Sequence, residues 1–264
     1  METALITGAT AGIGKSIAYQ LAAKGYDLYL VARREKRLIE ISEDLQSKFD
    51  IKVSYLVADL TNKEAPQNIY NYGKGLDLDI SILVLNAGYQ INTRLEDASL
   101  DEEEKCLRVL GLSVIMQTKT YLKDLMARGG GHVMVVSSIS AFAPPSTEFA
   151  VLYGPVKTFM NRFSESLNFY NKYGITSTAV CPGYTVTNFH TASGVQEEMD
   201  SVPSFLKKSA KRIAKEGVDA MLKGKKVSVP TKTWKIIVLL LKVIPHSVFG
   251  LVSGLLAPGR YDDI

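Results

Sequence analysis

The stretch that most constrains this 264-residue chain lies near its start. Leu5-Ile6-Thr7 is a short apolar run, Gly8-Ala9-Thr10-Ala11-Gly12-Ile13-Gly14 is a glycine-rich turn, and an apolar-periodic segment begins at once. That order predicts a strand, a tight turn and a helix. Glycine lets the backbone approach a pyrophosphate, and a helix start offers it unpaired N–H groups and a positive dipole end. The spacing is Gly-x-x-x-Gly-x-Gly, not the commoner Gly-x-Gly-x-x-Gly. Gly14-Lys15-Ser16 looks like the end of a P-loop, but that loop needs glycine five residues before Gly14, where Ala9 stands. The glycines alone also suit an ordinary tight turn, so the motifs further along the chain must decide between the two.

The length fits one large α/β domain. Ile17, Ala18, Leu21 and Ala22 share one helix face, and Gly25 closes that helix. Leu28-Tyr29-Leu30-Val31 reads as the second strand. Just beyond it, NAD-binding folds usually carry an acid for the adenosine ribose. This chain has Ala32, Arg33 and Arg34, and two guanidinium groups there suit a 2′-phosphate. The competing reading is a solvated basic turn. Val53 to Ala58 is a third strand, with Asp59 and Leu60 next; Asp59 either meets a ligand at the sheet edge or caps the next helix. Ile80 to Leu85 is a continuous apolar run, as in a strand buried on both faces, and it ends in Asn86-Ala87-Gly88. Ser99-Leu100-Asp101-Glu102 reads as a capping box, so Asp101 to Glu104 is helix-start chemistry rather than a metal site. A long helix is expected from Glu103 to Met126, ended by Gly129-Gly130-Gly131. His132 to Val136 is the next strand, with His132 at its start rather than in catalysis, and Ser137-Ser138 close it.

Fifteen residues past Ser138 come Tyr153 and then Lys157. Residues four apart share a helix face, and Pro155 is tolerated in a helix's first turn. A free tyrosine titrates near ~10. A neighbouring ammonium favours the phenolate, so Lys157 is expected to lower the Tyr153 pKa. Such a pair can give a proton to a carbonyl oxygen as hydride arrives, or take one in reverse. The competing reading is a surface aromatic–lysine pair.

Ile175 to Val180 is a sixth strand, closed by Cys181-Pro182-Gly183, with Thr185, Thr187 and Asn188 placed to reach the amide end of a cofactor. Val227-Ser228-Val229 is the last strand. Between Phe205 and Lys242, eleven Lys and Arg face only Glu216 and Asp219. Trp234–Leu241 and Phe249–Leu256 are strongly apolar, but Lys242, Pro245 and His246 keep either from the ~20 residues of a membrane span. They are either a core or subunit-contact helix pair, or an amphipathic element lying on a membrane or lining a greasy pocket. The expected division is a binding and catalytic domain over 1–230 and an apolar extension over 231–264. Net charge is only +4, so no nucleic-acid footprint is required. Cys106 and Cys181 cannot build a disulfide framework, and no signal peptide precedes the first strand. The expected setting is reducing and cytoplasmic, with peripheral membrane contact left open.

Together these motifs resemble the short-chain dehydrogenase/reductase family from about Thr3 to Val229. Thr7-Gly8-Ala9-Thr10-Ala11-Gly12-Ile13-Gly14 matches the family's Thr-Gly-x-x-x-Gly-x-Gly turn. Asp59 matches its adenine-contacting acid, Asn86-Ala87-Gly88 most of its Asn-Asn-Ala-Gly motif, and Pro182, Gly183 and Thr187 its Pro-Gly-x-x-x-Thr segment. Ser138, Tyr153 and Lys157 match its catalytic serine, tyrosine and lysine. The resemblance implies a single Rossmann-like doubly wound domain, with a seven-stranded parallel sheet and helices on both faces. It implies NADP(H), favoured by Arg33, and hydride transfer to or from a small lipophilic carbonyl or alcohol, such as a 3-oxoacyl thioester or a steroid. A homodimer or homotetramer is also implied by resemblance. Two departures stand out. Ser140, not Ser138, has the usual thirteen-residue spacing to the tyrosine, and a two-residue insertion within Ala143–Leu152 would restore Ser138. The helix asparagine that helps hold a relay water is replaced by Leu110 or Gly111. That loss motivates the alternative of a catalytically weak NADP(H)-binding sensor or scaffold.

Overall fold

A computed structural model describes residues 1–143, 149–187, 200 and 202–243. Asn188, the 144–148 part of the supposed insertion and the Phe249–Leu256 segment lie outside the described residues. The chain runs β1 (Thr3–Thr7), α1 (Gly12–Ala22), β2 (Asp27–Ala32), α2 (Glu35–Lys48), β3 (Val53–Val57), α3 (Ala65–Gly75) and β4 (Ile80–Leu85). It continues with α4 (Leu100–Leu107), α5 (Ser113–Ala127), β5 (Gly131–Val136), α6 (Tyr153–Leu167), β6 (Ile175–Val180), β7 (Thr185–Val186) and β8 (Lys208–Ser209). Then come α7 (Ala210–Leu222), β9 (Val227–Ser228) and α8 (Lys232–Val243).

The main sheet has seven parallel strands in the order β3-β2-β1-β4-β5-β6-β9. β1, β2 and β4 are buried along their whole length, as strands covered on both faces must be. Alternation then decides which layer each residue joins. Ala4, Ile6, Leu28 and Leu30 pack with Ile17 and Leu21 of α1, Leu38 and Ile41 of α2, and Val218 of α7. Leu5, Tyr29 and Val31 point the other way, onto Ile69 of α3, Tyr121 and Leu125 of α5, and Met160 of α6. Strand order reverses between β1 and β4, and a crevice opens there at their C-terminal ends, where open α/β sheets hold their ligands.

Two helices differ from expectation. The long helix is not one uniform α-helix: α4 and α5 are joined by a π turn over Arg108–Leu112. Asp59 caps no helix, since α3 starts only at Ala65 with Glu64 at its N-cap. Its carboxylate instead accepts from the backbone N–H and hydroxyl of Thr61, both at 2.9 Å, closing a local turn. The capping box is present, with the Ser99 hydroxyl accepting from Glu102 N–H. His132 lies within β5, its ring nitrogen 2.7 Å from the Thr176 hydroxyl.

Candidate active site

The crevice floor is tied together by β1 and β4. The Thr7 hydroxyl accepts from the N–H groups of Asn86 (3.0 Å) and Ala87 (3.2 Å) and donates to the Val84 carbonyl (3.3 Å). The Asn86 amide in turn donates to the Thr7 carbonyl at 2.9 Å. Gly8 has φ +67, open to glycine at no steric penalty, and a Cβ there would stand 2.8 Å from Asn86 Nδ2. At Gly14 a Cβ would meet the Gly8 carbonyl oxygen and Asn86 Nδ2, both at 2.4 Å. Thr7 and Gly14 therefore act behind the crevice wall rather than in it: both are buried and neither lines the cleft. The side chain of Thr7 and the Cβ position of Gly14 are taken up by β1–β4 closure and by helix–turn packing, so both support the turn expected to hold the ligand.

The remaining expected residues line one cleft of about 470 Å³. Gly8, Thr10, Ala11, Gly12 and Ile13 form one wall, with Asn86, Ala87 and Gly88 beside them. Arg33, Arg34, Asp59 and Leu60 close one end, and Pro182, Gly183, Thr185 and Thr187 lie across from the glycine turn. At α1 the N-cap residue Ala11 offers no capping side chain, which leaves the first N–H groups open towards the cleft. Arg34 reaches back to the turn, donating to the Thr10 hydroxyl at 3.0 Å, and the exposed Arg33 guanidinium is 3.9 Å from Asp59. An uncapped helix start, glycines without space for a Cβ and two arginines at the far end fit an anionic dinucleotide.

Ser138, Tyr153 and Lys157 meet at the other end of the cleft. β5 delivers Ser138, and the first turn of α6 delivers Tyr153 and, one turn on, Lys157. The Tyr153 phenol is hydrogen-bonded to the Ser138 side chain. Ser138 also donates to the Ser140 hydroxyl at 3.1 Å, so both serines are in the cleft, but Ser138 is the one bonded to the phenol. Lys157 is buried, donates to the Val136 carbonyl at 3.0 Å and lies 5.5 Å from the Tyr153 ring centroid.

The electrostatics reverse one expectation. Burial pushes the Tyr153 phenol up to about 12, only partly opposed by its Ser138 hydrogen bond, with the buried Cys106 thiol adding to the rise. Lys157, 5.5 Å from the ring centroid, does not lower that pKa; burial instead pulls Lys157 itself down to about 8. In a dry pocket desolvation outweighs the mutual attraction that sequence spacing invites.

Residues that sequence reasoning missed also line the cleft: Val31 and Ala58 by the arginines, and Tyr89, Val109, Ile139 and Tyr184 near the tyrosine end. No motif marks them, since they are apolar residues placed by strand ends and by the π turn. Leu110, in that turn, presses on Gly88, where a Cβ would lie 2.8 Å from its Cδ2 and 4.0 Å from Lys157 Nζ. Where the resemblance expects a polar relay residue, this chain packs a buried leucine.

The sequence model of the short chain dehydrogenase family matches residues 2–198. Among curated proteins, the chain is 27% identical to a very-long-chain 3-oxoacyl-CoA reductase of Bos taurus, over 84% of this chain and 71% of that protein. It is 27% identical to an uncharacterized oxidoreductase of Staphylococcus saprophyticus, over 75% of this chain and 86% of that protein. Among solved structures, a short-chain dehydrogenase from Sphingobium yanoikuyae in complex with NADPH superposes with TM-score 0.82 at 24% identity, covering 99% of this chain and 97% of that one. L-sorbose reductase from Gluconobacter frateurii, complexed with NADPH and L-sorbose, gives 0.76 at 23% identity, with 86% and 94% covered. With the glycine turn, the β1–β4 crevice and the Ser138–Tyr153–Lys157 group in one cleft, and a family match over most of its length, this chain belongs to the short-chain dehydrogenase family.

Proposed function

We propose that this protein is an NADP(H)-dependent oxidoreductase that interconverts a ketone and a secondary alcohol on a lipophilic substrate, with 3-oxoacyl thioesters the leading class. One observation carries the reading: a single cleft joins an uncapped helix start and two arginines at one end to a serine–tyrosine–lysine group at the other. The NADPH held by the Sphingobium and Gluconobacter proteins supports the choice of cofactor. So do Arg33 and Arg34, which stand where a 2′-phosphate needs charge-assisted donors. The name of the bovine relative supports the acyl class, as do Val109, Ile139 and Tyr184, which add apolar surface to the cleft.

Gly8, Gly12 and the first N–H groups of α1 would hold the pyrophosphate, and Lys157 the nicotinamide ribose. When bound, the cofactor supplies the hydride. Ser138 then orients the substrate carbonyl through a hydrogen bond to its oxygen, and Tyr153 gives its phenolic proton to that same oxygen as negative charge develops there. A phenol held at about 12 is protonated throughout neutral pH, which is the state a reduction needs. The buried Lys157 ammonium lies 5.5 Å from the ring centroid and packs on the ring without lowering the pKa of the phenol.

The test is NADPH and NADH oxidation against 3-oxoacyl thioesters of graded chain length, steroid ketones and simple aldehydes. Turnover with NADPH that rises with acyl length is the expected result. NADPH binding without turnover on any carbonyl refutes the catalytic reading.

A further inference from the structure

We propose that α8 is a docking element that lies in the plane of an anionic lipid surface and holds the cleft close to it. α8 buries Trp234 and Val238 but turns Ile236, Leu239, Leu240 and Val243 outward. These four keep the i, i+3, i+4, i+7 spacing that normally faces a core. Leu239 and Val243 are 62% and 68% exposed, so this stripe is built like a buried face and left open. Phe205, also exposed, belongs to a neighbouring segment: Trp234 Nε1 donates to the carbonyl of Leu206 at 3.0 Å.

The charges say what covers the stripe. Lys232 sits on α8 beside it, Lys235 and Lys242 flank it, and Lys207 and Lys208 come just after Phe205. Between Asp219 and Asp262 the sequence contains no acidic residue and seven Lys and Arg. Lys235 has Glu216 at 3.9 Å. An apolar face rimmed by lysines on long stems matches headgroup phosphates above acyl chains. A second copy docked on this face would set lysines against lysines. Among the described residues no helix is long and apolar enough to cross a membrane.

α8 also touches the cleft. The Trp234 ring covers Gly183 and packs on Tyr184 with centroids 5.7 Å apart, and both residues line the cleft. Lys242 Nζ is 5.1 Å from the Phe142 ring centroid, just beyond Ser140. Trp234 is on the face of α8 opposite the stripe, so docking through α8 holds this rim one helix diameter, roughly 10 Å, from the lipid, the phase in which a long acyl chain is concentrated.

The experiment is flotation of the full-length protein with vesicles of phosphatidylcholine alone and of phosphatidylcholine with phosphatidylserine. Binding is expected to the anionic vesicles, weakened by salt. Replacing both Leu239→Asp and Leu240→Asp should weaken it at least tenfold, and Lys232→Ala roughly fivefold. Circular dichroism melting confirms that the variants remain folded. No partition into anionic vesicles overturns the proposal. So does partition unaffected by these substitutions, which would place the contact elsewhere, for example within 244–264. A dimer in sedimentation equilibrium that Leu239→Asp dissolves would identify a second copy as the occupant and overturn it as well. The assay contains no substrate, so its failure and a failure of the reductase reading are separate results.

Discussion

Replacing Lys157 with methionine should make this protein more stable at neutral pH while disabling it. Lys157 is 5% exposed, and burial lowers its pKa from 10.5 to about 8. At about 1.4 kcal/mol per tenfold change in proton affinity, keeping it charged destabilises the fold by about 3 kcal/mol at pH 7. Methionine fills a similar volume without a charge. It also loses the 3.0 Å bond to the Val136 carbonyl, a loss of about 1–2 kcal/mol. The net gain for Lys157→Met is then about 1–2 kcal/mol at pH 7, a rise in Tm of about 2–8 °C for a chain of this size. Between about 8 and 10.5 the unfolded chain binds the Lys157 proton and the folded chain does not, so this group's contribution to wild-type stability rises with pH. The variant lacks that rise. Its advantage should shrink above pH 8 and reverse by about pH 10. Cys106 and Cys181, pushed up to about 11 and about 12, act oppositely above pH 9, and slightly more so in the variant, which lacks the Lys157 charge that lowers both. Urea denaturation of both proteins at pH 7, 8, 9 and 10 measures the difference. A gap that does not change with pH, or a variant less stable at pH 7, would refute the claim that Lys157 is held charged against its surroundings.

Tyr153→Phe should reduce turnover by about a hundredfold or more, with NADPH binding unchanged by fluorescence titration; ordinary turnover would remove Tyr153 from its proposed role. For Arg33→Ala, the NADPH dissociation constant should rise about tenfold or more while that for NADH stays put, and parallel changes in both would show that Arg33 does not read the 2′-phosphate. A Cβ at Gly183 would stand 2.1 Å from Trp234 Cε2. Gly183→Ala should therefore displace the chain's single tryptophan, cost about 1–3 kcal/mol in urea and shift its emission, and an unchanged spectrum and midpoint would contradict the packing. Ser99→Ala removes the capping box of α4 and should cost about 1 kcal/mol in the same assay, with no loss identifying the cap as idle.

The strands were legible wherever burial on both faces writes itself as an unbroken apolar run. β4 falls on Ile80–Leu85 and β6 on Ile175–Val180, as expected, and β2 extends only one residue beyond each end of Leu28–Val31. The glycine turn placed the crevice for a covalent reason: Gly8 adopts a positive φ that other residues rarely reach. Because strand ends converge at the point where sheet order reverses, separated motifs in the sequence came to line one cleft. The choice between Ser138 and Ser140 was different, since both line the cleft and only the bond to the Tyr153 phenol separates them.

What the sequence by itself determined is the run of strands and helices and the residue types that close the strand ends, since these arise from periodicity and glycine spacing; the parallel seven-stranded sheet was implied by the family resemblance, and its order came from the structure. Only the tertiary structure decided how those residues are employed. Thr7 and Gly14 brace the floor because β1 and β4 close on them. Tyr153 rises and Lys157 falls because burial acts on each more strongly than either acts on the other. The π turn puts Leu110 against Gly88 where a polar residue was expected. The pattern of α8 reads as a core face, yet its stripe points outward, because the helix turns Trp234 and Val238 into the domain instead. Desolvation and packing depend on neighbours distant in the chain, and no local pattern records them.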